Sequence, residues 1–331
     1  TRRSSDLQPK KVLLYGVIFS IITIALYFTI TSLWILMLIR FIHGIAFGFS
    51  STATGTISSR IIPENRKGEG IGYYGLSVTL ASAIGPFIGL VFNNHLGFKS
   101  IFAISLLSIL IAFVLSIFIK RLPVLNHNLE AKDQPSGMHA YLQKEALPIS
   151  LVVILIGVAY SSVLSFLSIY SEKINLVTTS SFFFIVFAIV TFITRPFTGK
   201  IYDNYGENKV MYPVLLSFTF GLIILGFTHT SIILLIAAAF IGFGYGTIVP
   251  TAQAIAIQQS PANKMGLATS TFYIFADFGA GMGPFILGII IPFIGYRQLY
   301  MAMGMLVIIA LILYYYVHGR MHKNPFNKRE Y

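Results

Sequence analysis

Long apolar runs fill this chain from near its first residue to near its last, and they constrain its fold more than any other feature. Runs of about 18 or more apolar residues, enough for a helix to cross a bilayer, recur along the whole sequence. Only 10% of the residues are charged, whereas a soluble domain carries about 25%. The alternating pattern of an outer-membrane barrel strand is absent from the sequence. We therefore expect an all-α integral membrane protein.

The apolar runs divide into ten expected membrane spans, four before a long polar connection and six after it. This division predicts an N-terminal bundle (1–119), a cytoplasmic central loop (120–147), a C-terminal six-helix bundle (148–319) and a cytoplasmic tail (320–331). The expected spans are approximately 12–29, 33–58, 70–93, 100–119, 148–170, 180–198, 210–228, 231–257, 266–291 and 298–318.

Lysine and arginine residues are distributed unevenly between the two sides of these spans. Nineteen of the 23 fall on the side of the N-terminus, while Lys99, Lys173 and Arg297 fall on the other side and Arg40 lies within a span. Because basic residues accumulate in cytoplasmic loops, we expect both termini in the cytoplasm and a multi-pass protein of the plasma (inner) membrane. The same rule accounts for the net charge of +12 without a nucleic-acid partner.

The sequence contains an internal repeat at a constant offset of 198 residues, which is the distance from Pro86 to Pro284. Both copies have the same orientation, as in transporters built from parallel repeats. The second copy has six spans and the first has four, so we expect two further helices before residue 1 and twelve in the intact protein. The matches in this register are Gly44 with Gly242, Gly48 with Gly246, "PENRKG" (63–68) with "PANKMG" (261–266), "GPFI" (85–88) with "GPFI" (283–286), and "LGFK" (96–99) with "IGYR" (294–297).

Three motifs accompany this repeat. They are "RPFTGKIYDNYGENK" (195–209), whose N-terminal counterpart is only the remnant "RRSSDLQPKKV" (2–12), "RFIHG" (40–44) and "ASAIGPFIGL" (81–90). Together they resemble the major facilitator superfamily, and specifically its twelve-helix drug/proton antiporter branch. In the last motif Ala81 and Leu90 depart from the family pattern. The resemblance implies two parallel six-helix repeats, of which ten helices are present here.

The resemblance also implies a function. It predicts a monomeric secondary transporter that exports a small organic molecule in exchange for protons by alternating access, without a cofactor or metal. It further assigns gating and helix-shaping roles, in which Asp203 caps a helix N-terminus or pairs with a basic group. The residues with these roles are Gly44, Gly85, Pro86, Gly89, Arg195, Gly199, Asp203, Gly206, Lys209, Gly283 and Pro284.

Asp277 is the acidic residue that lies near the centre of an expected span, in "LATSTFYIFADFGAGMGPFILG". An unpaired carboxylate at this depth costs several kcal/mol, so it should face a cavity or a partner. It could carry a proton or neutralise a cationic substrate. Alternatively, it could hold helices together through hydrogen bonds near the Gly-Pro motif.

Arg40 and His43 are three residues apart on one helix and therefore share a face. By resemblance this helix lines the cavity of the first half. Arg40 could modulate a proton site, and His43 could titrate near neutral pH. Alternatively, Arg40 could have a structural role through hydrogen bonds to backbone carbonyls, and His43 could have its hydrogen bonds satisfied within the core.

Ser161, Ser165 and Ser168 form a polar stripe on the first helix of the second half. By resemblance this helix also lines the cavity, although small hydroxyl residues equally favour helix packing in membranes. Tyr245 and Gln253, on the expected 231–257 helix, are further cavity candidates of the same kind.

The sequence contains no catalytic constellation and no phosphate-binding Gly-Lys loop, which argues against an enzyme and against direct use of ATP. Its lack of cysteine excludes disulfides and thiolate metal sites. Two alternatives to export stay open. One is a proton-coupled uptake permease, and the other is a sensor or scaffold that retains a transporter fold without transporting.

Overall fold

The computed structural model describes residues 9–63, 66–119, 142–261 and 264–320, and these residues are almost entirely helical. Most of the central loop and of the tail, together with Asp6 of the N-terminal motif remnant, lie outside the described residues. The helices are α1 (Pro9–Leu26), α2 (Leu33–Ile61), α3 (Lys67–Leu96), α4 (Phe98–Phe118), α5 (Leu147–Lys173), α6 (Val177–Tyr205), α7 (Asn208–Gly226), α8 (Ser231–Gln258) and α9 (Met265–Tyr314), with short 3-10 turns at Tyr27–Thr29 and Lys144–Ala146 and a π-helical end at Tyr315–Gly319.

These helices coincide closely with the expected spans. Within the described residues, eight helical segments are long and apolar enough to cross a membrane, and α3 is a further helix outside that group. The last segment, Met265–Gly319, covers two expected spans and is interrupted by non-helical backbone at Gly295. The count of ten spans stays a prediction, whereas the all-helical class is confirmed.

The internal repeat is visible in the backbone at Gly97 and Gly295, which match in the 198-residue register. Gly97 has φ 80° and ψ 169°, and Gly295 has φ 77° and ψ 172°. Both lie in a region of positive φ that residues with a Cβ rarely adopt. Each glycine therefore produces the same sharp change of direction between two helices in its own copy of the repeat.

The chain divides into two compact units. The first comprises Thr1–Ile61 and Ile88–Pro135. In it α1 packs on α2 and α4 through small apolar clusters, one of which contains Leu13, Val17 and Ala53. The Lys10 ammonium group donates to the carbonyls of Ile117, at 2.7 Å, and Ile119, and so satisfies carbonyls at the C-terminal end of α4.

The second unit comprises Ile62–Phe87 and Ser136–Tyr331 and contains most of the buried core. Here α5 packs against α9, and α8 packs against α6 and α7. Glycines set the close approaches: a Cβ added at Gly242 would lie 2.8 Å from the carbonyl oxygen of Phe187 on α6, and one at Gly283 would overlap Ser161 on α5. The hydroxyl of Thr191 reinforces the first contact by donating to the Gly242 carbonyl at 2.8 Å.

The register partners of these glycines have different surroundings. A Cβ added at Gly44, Gly48 or Gly85 would meet no described atom within 4 Å. These three glycines therefore face open space, whereas their register partners Gly242, Gly246 and Gly283 are packed against other helices.

Candidate functional site

The loop motif of the second half lies against the beginning of α3. A carboxylate oxygen of Asp203 accepts a hydrogen bond from the backbone N–H of Glu69 at 3.1 Å, in the first turn of α3. A carboxylate at a helix N-terminus is favourable because the first N–H groups have no partner within the helix. A Cβ added at Gly199 would lie 3.5 Å from the Glu69 Cα, so this glycine allows the approach. The geometry is a helix cap, one of the two contacts expected for Asp203.

The other residues of this motif lie on α6 and at the start of α7. Arg195 is buried on α6 and interacts electrostatically with Tyr73 of α3. Gly206 ends α6 with φ 85° and donates its N–H to the Tyr202 carbonyl at 3.0 Å. Lys209 is exposed in the first turn of α7. The structure thus brings Arg195, Gly199 and Asp203 close to α3, while the gating role of the motif stays a prediction.

Asp277 lies on the part of α9 that precedes Gly295, one turn after Tyr273 and on the same face. It is within electrostatic reach of Tyr273 and of Tyr245 on α8. The side chain is exposed, and among the described residues no basic group forms an ion pair with it. A carboxylate uncovered on a membrane-spanning helix needs water, a proton or a cation as its partner.

Aromatic and amide groups from three other helices include and contact the tyrosines that lie near this carboxylate. The Tyr273 side chain interacts with those of Tyr74 on α3 and Gln253 on α8. The Tyr245 ring stacks on that of Tyr160 on α5, with ring centroids 3.5 Å apart and planes 11° apart. Of the expected cavity residues, Tyr245 therefore lies near Asp277, and Gln253 contacts the neighbouring Tyr273. We call these five residues and Asp277 the tyrosine–aspartate cluster.

The hydroxyl of Tyr160 is the least satisfied group of the cluster. Tyr160 is 1% exposed, and its hydroxyl has no hydrogen-bond partner among the described residues. An unsatisfied buried hydroxyl costs about 1–3 kcal/mol. Such a group is a natural donor for a ligand or an ordered water.

The three serines of the stripe on α5 differ in how far they are buried. Ser161 is buried against Gly283 and donates its hydroxyl to the Val158 carbonyl at 2.7 Å, which is the packing alternative. Ser165 and Ser168 are exposed on the same helix. The stripe thus contains one packing residue and two residues available to a cavity.

Arg40 and His43 meet a third residue that the sequence did not single out. The Tyr27 hydroxyl lies 3.1 Å from His43 Nδ1, and the Arg40 guanidinium carbon lies 5.5 Å from the centre of the Tyr27 ring. The Tyr27 ring also stacks on Phe102 at 4.9 Å, which fixes its orientation. Arg40 is exposed and His43 is half-buried. The pair therefore forms a small polar site in the first unit, oriented by Tyr27.

The two prolines of the repeated Gly-Pro motif lie inside continuous helices, Pro86 in α3 and Pro284 in α9. Each removes one backbone donor within its helix. Across the described ranges, no group of three or more His, Asp or Glu residues is arranged to hold a metal ion.

Comparison with known families and sequences identifies proteins that are similar to this chain. The family model described as Major Facilitator Superfamily matches residues 3–275 and 149–330. Multidrug resistance protein MdtG of Salmonella arizonae is 24% identical over 281 residues, which is 81% of this chain and 68% of that protein. An uncharacterized MFS-type transporter of Methanocaldococcus jannaschii is 23% identical over 320 residues, covering 94% of this chain and 82% of that protein.

Solved structures share the fold. The human organic anion transporter MFSD10 aligns with a TM-score of 0.71 and 16% identity, over 93% of this chain and 77% of that one. The E. coli fucose:proton symporter FucP aligns with a TM-score of 0.67 and 16% identity, over 93% of this chain and 84% of that one. At this level of identity the likeness concerns the fold alone.

Proposed function

Because the chain belongs to the Major Facilitator Superfamily, we propose that it is a secondary active transporter that exports a small organic molecule in exchange for protons. The protein is an integral membrane protein of a transporter family, and we assign it to the plasma membrane with both termini in the cytoplasm. The name of the MdtG relatives, multidrug resistance protein, supports export of a drug-like substrate.

The observation that carries this proposal is the exposed carboxylate of Asp277 among tyrosines. A proton and a cationic substrate cannot both neutralise one carboxylate, so occupancy by one disfavours occupancy by the other. The rings of Tyr245 and Tyr273 supply faces that attract an organic cation. Exchange follows if the substrate leaves Asp277 when a proton arrives on the outer side, and the proton leaves when substrate arrives from the cytoplasm.

Alternating access also needs contacts that exist in one state and not in the other. We assign this role to the cap that Asp203 forms on the first turn of α3 with the Glu69 N–H. A hydrogen bond to a charged group contributes about 1.5–3 kcal/mol, enough to change the ratio of two states at least ten-fold. Arg40 and His43 are assigned to proton movement in the first unit, where Tyr27 holds His43 through its hydroxyl.

The test uses the full-length protein in proteoliposomes that contain a pH-sensitive dye. Amphiphilic cations, sugars and metal chelators are added in turn to wild type, Asp277→Asn and Asp203→Asn. We expect a cation to release protons with wild type and not with Asp277→Asn, because an amide neither carries a proton nor neutralises a cation. Asp203→Asn is the control, and it should slow exchange without changing its proton dependence.

Two results would contradict the proposal. If Asp277→Asn exchanges protons as well as wild type, Asp277 is structural and the coupling group lies elsewhere. If substrate and protons move in the same direction, the protein is an uptake symporter rather than an exporter.

A further inference from the structure

An open groove lies between α7 and α8 in the second unit. Its volume is about 450 Å³, and its walls include Pro213, Leu216 and Phe220 of α7 and Phe240 and Phe243 of α8. One lining side chain carries a hydroxyl group, that of Ser217, and this hydroxyl donates to the Phe240 carbonyl at 2.8 Å. The groove therefore offers an apolar surface to whatever fills it.

The shape of the groove follows from small residues at its base and large residues at its edges. A Cβ added at Gly244 would lie 2.6 Å from the backbone nitrogen of Phe218, and one at Gly221 would lie 2.9 Å from the backbone nitrogen of Ile241. The backbones of α7 and α8 thus touch at the base. Phe220 and Phe240 lie at the edges and are only partly covered by other described residues, with 54% and 41% of their surface exposed.

We propose that this groove holds one acyl chain of an anionic phospholipid, whose headgroup binds Lys209. One face of α7 carries Lys209, Pro213, Leu216 and Phe220 at helical spacing. The basic residue therefore lies on the same helix face as the three groove residues, at the polar end of the groove. From Lys209 to Phe220 the helix rises about 16 Å, roughly half the 30 Å hydrocarbon core. The groove and its basic end therefore match one leaflet.

The charge of Lys209 favours an anionic headgroup. The neighbouring carboxylates keep their charge but bind other partners: Glu207 contacts His318 Nε2 at 3.0 Å, and Asp203 accepts the Glu69 N–H. Lys209 is exposed, and the proposed orientation puts it at the cytoplasmic surface, where anionic lipids concentrate. A single basic residue near the surface strengthens binding of an anionic lipid roughly five-fold. This inference rests on the proposed orientation in the membrane and does not depend on the direction of transport.

The experiment measures lipid retention by native mass spectrometry on the full-length protein in detergent. Phosphatidylglycerol and phosphatidylcholine with identical chains are titrated separately. We expect one phosphatidylglycerol to be retained with roughly five-fold preference over phosphatidylcholine. Lys209→Gln should remove the preference, and Leu216→Trp, which fills the groove, should weaken both lipids.

Matched controls separate the groove from the general surface. Lys200→Gln removes another exposed basic residue, and Leu151→Trp enlarges a leucine that is 45% exposed, as Leu216 is. Neither control should alter retention. Each variant is first checked for a monodisperse elution profile, and the two groove variants test the inference independently.

Three outcomes would overturn the inference. Equal retention of the two lipids by wild type would remove the role of Lys209. Equal weakening by Leu151→Trp and Leu216→Trp would show that the lipid is not in the groove. Displacement of the lipid by free glycerol phosphate would show a headgroup site without an acyl-chain site.

Discussion

Substituting alanine at Gly242 and at its repeat partner Gly44 should have opposite effects on stability. At Gly242 the added Cβ would lie 2.8 Å from the Phe187 carbonyl oxygen and 3.0 Å from the Phe187 Cα. At Gly44 no described atom lies within 4 Å of the added Cβ. The two substitutions are chemically identical, occur in the same register of one repeat and differ only in what the methyl group meets.

The expected magnitudes follow from these distances. Carbon atoms pack best at about 3.5–4.0 Å, so α6 and α8 must separate by roughly 0.5–1 Å around Gly242. The obstruction is backbone, which cannot change rotamer, and such overpacking costs about 1–3 kcal/mol. Alanine also favours a helix over glycine by about 1 kcal/mol. The net effect is a destabilisation of up to about 2 kcal/mol at Gly242 and a stabilisation of up to about 1 kcal/mol at Gly44.

The assay heats the 331-residue chain in detergent and measures the fraction that stays monodisperse on size-exclusion chromatography. The midpoint should fall by about 2–4 °C for each kcal/mol lost in Gly242→Ala, and it should hold or rise in Gly44→Ala. Equal shifts of the same sign for both variants would refute the reasoning, because they would show that the packing difference between the two repeats is not real.

Three further predictions concern single contacts. Tyr160→Phe should leave stability unchanged or higher, because the buried hydroxyl has no described partner, yet it should raise the substrate concentration for half-maximal transport. A lower unfolding temperature would show an unseen partner. Asp203→Ala should lose the cap on α3 and increase the accessibility of Glu69 to amide hydrogen exchange at least ten-fold, whereas unchanged exchange would argue against the cap. Lys10→Ala should lower the thermal midpoint by about 1–3 °C, because the carbonyls of Ile117 and Ile119 at the end of α4 lose their donor; an unchanged midpoint would mean that water replaces the ammonium.

Much of the fold could be predicted from the sequence because its determinants are local or periodic. Apolar runs give helices, and the repeat in "LGFK" and "IGYR" anticipates that Gly97 and Gly295 share one backbone conformation. The spacing of four residues between Tyr273 and Asp277 likewise suffices to place them on one face. Such information is contained in a single helix and does not depend on which helices pack beside it.

The site could be predicted only in part because it depends on how helices pack. Periodicity placed Ser161 and Ser165 on one stripe, but only the approach of Gly283 buries the first and leaves the second exposed. The contact between Tyr27 and His43 depends on the register of the α1–α2 hairpin, which no local pattern fixes.

The contacts that join four helices in the tyrosine–aspartate cluster could not be predicted from the sequence either. Tyr74 reaches the cluster because α3 packs on α6 and α8, where Gly75 meets Pro250. Small residues allow that approach, but the sequence does not say which of several small-residue faces will meet.

Coupled export is tested most directly by movement of a substrate against its own gradient. The full-length protein is reconstituted with the same concentration of an amphiphilic cation inside and outside, and a pH gradient is then imposed. We expect the cation to move towards the acidic side with wild type, to stop when a protonophore removes the gradient, and not to move with Asp277→Asn. Cation movement that is insensitive to the protonophore, or equal in the Asp277→Asn variant, would contradict proton-coupled export through this site.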